Sequence, residues 1–176
     1  MRWVIFAILV YIVCVLQTTL IGLVEVHRVR PDLLVLTAAY LGLVARRHDA
    51  CLAAWCLGLA ADLCGMSFRD RSGIGPHALA FGLAALITVR LRELVFRDHL
   101  LTYVACAAAW TLVAYAVEAV HLSWALRRWD MLGTWMTAGL WTAAYTALVA
   151  PYAHWALRRA RPLLGLDAVR TYRVRT

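Results

Sequence analysis

Residues 51–67 read CLAAWCLGLAADLCGMS, an apolar run that carries a single carboxylate, Asp62. Ala54, Gly58 and Asp62 follow one another at i, i+4 and i+8, and Ala61 and Gly65 extend the same side. On a helix this makes one face of very small side chains ending in an acid. Small faces let helix backbones approach closely in lipid, where packing and interhelical hydrogen bonds replace the hydrophobic drive. Two readings follow: the face packs against another helix of the same chain, or it docks a separate transmembrane partner. A carboxylate left at the bilayer centre costs about 2.5–3.5 kcal/mol, so Asp62 must be paired, protonated or near the headgroups.

The rest of the chain says that the run belongs in a membrane. Of 176 residues, 64% are hydrophobic and only 16% are charged, and the mean hydropathy is +0.71. A soluble domain is nearer one-half apolar and one-quarter charged, so the composition implies an integral membrane protein of one compact domain. All 18 basic residues are arginine and the net charge is +8. They lie between the apolar runs, which points to topology and lipid headgroups and excludes nucleic acid as a partner. Cys14, Cys51, Cys56, Cys64 and Cys106 form no CxxC pair and sit within apolar runs, as small buried residues do.

Six apolar segments appear, at about 3–24, 32–45, 50–66, 76–91, 99–124 and 133–157. A span needs about 20 helical residues, which segments one, five and six supply. The second and fourth are short and must borrow flanking residues, let Arg46 and Arg90 snorkel, or lie buried among longer neighbours. Segment one is too long for a signal peptide and lacks a small-residue cleavage site, so it reads as a retained helix. Pro31 is placed to open the second helix. With six spans, twelve arginines fall on the side of the termini and six on the other, which puts both termini in the cytoplasm. The expected organisation is one six-helix transmembrane domain over 1–161 and a basic cytoplasmic tail over 162–176.

Catalytic and ligand motifs are weak by comparison. The loop after the third segment, MSFRDRSGIGPHAL, holds Gly73 and Gly75 before Pro76, but lacks phosphate-loop spacing and follows no strand. It reads as a tight re-entry turn, with Pro76 starting the fourth helix and backbone N–H groups that Asp62 can accept from. His77 reads as an interfacial hydrogen-bonding residue, and the role of the charged stretch 68–72 is left open. Glu118, beside His121, is the other acid inside a span. A proton-coupled transporter through Asp62 and Glu118 would show more polar groups converging at mid-membrane. No nucleophile stands with a base, so neither an enzyme nor a cofactor is expected.

The succession PDLLVLTAAYLGL (31–43), GLAADLCG (58–65) and GIGPHALAFGLAALI (73–87) resembles the rod shape-determining protein MreD family. The residues that carry the resemblance are Pro31, Leu33, Leu34, Tyr40, Leu41 and Gly42; Gly58, Asp62 and Gly65; and Gly75, Ala78 and Leu79. The chain departs from the pattern in the charged FRDRS between Met66 and Gly73. The resemblance implies an all-α, polytopic six-helix fold similar to the substrate-binding components of energy-coupling-factor transporters. It implies a non-enzymatic scaffold of the bacterial cell-elongation complex in the inner membrane. Its partners would be MreC directly, MreB, RodA and a class B penicillin-binding protein indirectly, and the lipid bilayer. Ala54, Gly58, Asp62, Gly65, Gly75, His77, Pro31 and Gly42 are then the expected structural or partner-contact residues. The rival is a vitamin-binding transporter component of the same architecture. Such a component would carry a small-residue A-x-x-x-A face on its first helix, where this chain has Trp3, Ala7 and Tyr11.

Overall fold

The computed structural model describes residues 1–19, 25, 29–64, 75–92 and 100–166. Six helices run through them: α1 (Trp3–Thr19), α2 (Leu33–Val44), α3 (Arg47–Leu63), α4 (Pro76–Leu91), α5 (Leu100–Ala125) and α6 (Leu132–Ala160). A single 3-10 turn, Trp129–Met131, leads into α6, and no β-strand occurs among the described residues. The all-helical architecture expected from composition is therefore what forms.

α2 is the axis of the bundle. Ten of its twelve residues are buried, and it packs against each of the other five helices. A helix that is apolar all round has no wet face to present, and here it has no lipid face either. Of the three ways a short segment can be accommodated, burial among longer neighbours is the one α2 takes. α3 pairs with α4 and α5 with α6 around it, while α1 buries only Phe6 and Val13.

Several boundaries differ from the apolar runs. α3 starts at Arg47 rather than 50, because Asp49 in its first turn suits the positive helix N-terminus and takes the Met1 ammonium at 3.3 Å. α6 continues to Ala160, with Arg158 and Arg159 complementing its C-terminal carbonyls. Among the described helices, α5 alone is both long and apolar enough to cross a membrane by itself. Residues 20–24 of the first segment lie outside the described residues, which leaves α1 with 17; α6, with 29, has the expected length but not the hydropathy of α5.

Two further details correct the reading of the sequence. Pro31 does not open α2; Asp32 does, as an N-cap whose carboxylate accepts from the Val35 N–H at 3.0 Å. The chain after Ala160 does not leave at once, because Leu164 and Leu166 are buried and the Leu164 carbonyl accepts from the Arg2 N–H at 3.0 Å.

The tightest approach between helices is at Gly58. A Cβ built there would lie 2.5 Å from the His77 carbonyl oxygen and 2.6 Å from Ala78 Cα, both backbone atoms of α4. Gly133, by contrast, has nothing within 4 Å. Gly58→Ala is expected to destabilise the protein by about 1–3 kcal/mol by forcing α4 away. Gly133→Ala should leave the melting temperature in detergent unchanged or slightly raised. Equal melting of the two variants would contradict this packing.

Candidate functional site

The first turn of any helix leaves backbone N–H groups without intrahelical partners, and lipid supplies none. α4 begins on Pro76, whose missing N–H removes one of them, but its N-cap position is Gly75 at φ +136°. That conformation disfavours the Ser, Thr, Asp or Asn that would ordinarily cap the helix from its own chain position. Asp62, in the last turn of α3, takes over the capping role from a neighbouring helix. Its Oδ2 accepts from the N–H of Gly75 at 2.9 Å and of Ala78 at 3.1 Å. Its Oδ1 accepts from the His77 N–H at 3.1 Å and lies 3.0 Å from the His77 ring Nδ1. The carboxylate is thereby filled, and its side chain is only 2% exposed.

His77 carries the network onward. Its ring is 4% exposed, and Nε2 faces Glu118 Oε2 of α5 at 3.7 Å. The two groups are within ion-pair range but too far apart for a hydrogen bond. The ring also packs edge-on to Phe81, which in turn meets Trp110 of α5. One histidine therefore ties α3, α4 and α5 together at one end of the bundle. Among the described residues no three His, Cys, Asp or Glu side chains converge as metal ligands.

The other residues singled out in the sequence fall as follows. Ala54 and Ala61 are buried with Gly58 on the face of α3. α4 occupies that face at Gly58, so a partner helix reaches it only by displacing α4. Gly42 lies in α2, where a Cβ would stand 3.2 Å from the Trp110 ring. Pro31 is buried, and its carbonyl accepts from the Gln17 amide at 3.3 Å. Gly65, Gly73 and the charged stretch 68–72 lie outside the described residues.

Sequence reasoning missed the second anchor of the bundle. Gln17 of α1 accepts from the Leu33 N–H at 2.8 Å, and Thr146 Oγ1 of α6 accepts from the Asp32 N–H at 3.1 Å. A lone amide in an apolar run was the available signal for Gln17. Glu118 and His77 were both noticed, but their meeting depends on helix order and was not legible from spacing.

A profile of the family described as rod shape-determining protein MreD matches residues 1–153. The chain belongs to this family. The match takes in α1 to α5 and most of α6, and so includes Asp62, His77 and Glu118. It extends the likeness well beyond residues 31–90, which carried it in the sequence. Membership brings a role in rod-shape determination as a membrane protein. No curated protein and no solved structure gives a significant match.

Asp62 generates a graded expectation. Leucine at 62 strands three N–H groups, each costing about 1–3 kcal/mol when buried without a partner. Asparagine keeps one accepting oxygen and turns an NH2 group toward donors. Folded yield and melting temperature should fall in the order Asp62, Asp62→Asn, Asp62→Leu. Equal loss in both variants would show that charge rather than acceptance is required.

Proposed function

We propose that the protein is a non-enzymatic scaffold of the cell-elongation complex, docking the transmembrane helix of MreC in the bacterial inner membrane. The family match over residues 1–153 is the observation that carries this reading. Through MreC, the scaffold links MreB on the cytoplasmic side with RodA and a class B penicillin-binding protein, and so supports peptidoglycan synthesis. The six helices are read as one transmembrane domain with the fold of energy-coupling-factor substrate-binding components. The termini lie in the cytoplasm with the richer share of arginine, and the basic segment toward the C-terminus lies against the headgroups.

The docking face follows from what the bundle leaves open. The small-residue face of α3 is filled by α4, so MreC must use an outer surface. α1 offers a stripe at i, i+4, i+7 and i+11: Val4, Ile8, Tyr11 and Val15, which are 76%, 53%, 71% and 41% exposed. That spacing presents one seam to a second helix. A photo-crosslinking side chain at Tyr11 should capture MreC in native membranes, whereas one at Trp141 of α6, which is 67% exposed, should not. Capture from Trp141 but not from Tyr11 would overturn the α1 seam. The absence of MreC from every crosslinked and co-purified fraction would overturn the scaffold itself.

A further inference from the structure

A groove of about 460 Å³ opens on the flank of the bundle between α4 and α5, lined almost wholly by apolar side chains. Its wall on α5 runs from Leu101 to Val113, and Ala105 and Ala109 leave it concave. At 1.5 Å per residue that wall is about 18 Å long. One leaflet of the hydrocarbon core is about 15 Å deep. A spanning partner helix would need a seam about twice that long, so the groove suits an occupant confined to one leaflet. One arginine stands at an end of it. Arg92 lines the groove and donates through Nη1 to the carbonyls of Gly42 and Ala45, which fixes its guanidinium there.

We infer that this groove holds an acyl chain of an anionic phospholipid, with the lipid phosphate against Arg92. Apolar length and terminal charge are arranged as they are in such a lipid. Arg92 belongs at headgroup depth, where a basic residue contributes about 1 kcal/mol toward an anionic surface. Assignment to the cytoplasmic leaflet rests on the topology proposed above.

The test is native mass spectrometry of the whole chain, extracted in mild detergent from membranes of mixed phosphatidylglycerol and phosphatidylethanolamine. The wild type should retain one phospholipid, enriched in phosphatidylglycerol over its share of the membrane. Ala105 and Ala109 are exposed, so Ala105→Trp and Ala109→Trp fill the groove without entering the core. Both should lose the lipid while melting as the wild type does. Arg92→Gln should keep a lipid but lower the preference for phosphatidylglycerol about fivefold, whereas Arg92→Lys, which keeps the charge, should keep the preference. Equal retention in the wild type and both tryptophan variants would overturn the proposal, as would a wild type carrying no lipid. A groove-dependent dimer in place of the lipid would assign the groove to a second copy of the chain and overturn it too. A reporter active only outside the cell, fused at Thr176, checks the leaflet separately: a signal there would refute the topology without altering the lipid result.

Discussion

The structure depends on satisfying backbone N–H groups at helix starts that lie inside an apolar bundle. A buried amide without an acceptor costs about 1–3 kcal/mol, and in lipid there is no water to fall back on. The Asp62 carboxylate meets that demand for α4 by accepting from three backbone N–H groups, and the His77 ring nitrogen makes a fourth contact. Its position fixes how α3 and α4 lie, because its oxygens reach the first turn of α4 only if the two backbones nearly touch. Gly58, one turn earlier on the same face, permits that contact. Acid and small-residue stripe are thus parts of one device.

α2 obeys the same constraint at both ends. At twelve residues it is about 18 Å long, well short of a hydrocarbon core of about 30 Å. Its start is held by Asp32 itself, by Gln17 from α1 and by Thr146 from α6, and its last carbonyls by Arg92 beyond α4. The Tyr103 hydroxyl of α5 donates to the Leu36 carbonyl at 2.9 Å within its first turn. Every neighbouring helix that contributes a polar group to α2 is also pinned by it. A segment too short to span alone can therefore serve as the centre of the fold, and the longer helices can leave their outer faces to lipid and partners.

Much of this was legible in the residues. Composition and the spacing of the arginines gave a six-helix membrane chain, and the motifs between Pro31 and Leu79 gave the family that the profile match bears out. Asp62 stood out because an acid in an apolar run needs a reason, and the nearby Gly75–Pro76 turn offered one. What the sequence withheld depends on which helices become neighbours. Spacing along α3 could not say whether its small face meets α4 or another protein. His77 and Glu118 are 41 positions apart in sequence, and only the packing of α4 on α5 joins them. Asp32 was overlooked beside Pro31, although an Asp immediately ahead of an apolar run is an ordinary cap.

Such an interior suits the scaffold proposed above. Asp62, Arg92 and Tyr103 tie α2 to α5 together through hydrogen bonds between helices. The most direct measurement of the central claim is amide hydrogen exchange at Gly75, His77 and Ala78 in the protein held in a lipid disc. First-turn amides ordinarily exchange fast because nothing in their own helix accepts from them. With Asp62 as their acceptor, all three should exchange as slowly as amides in the middle of α4. Exchange at the rate of an open helix start would contradict the account.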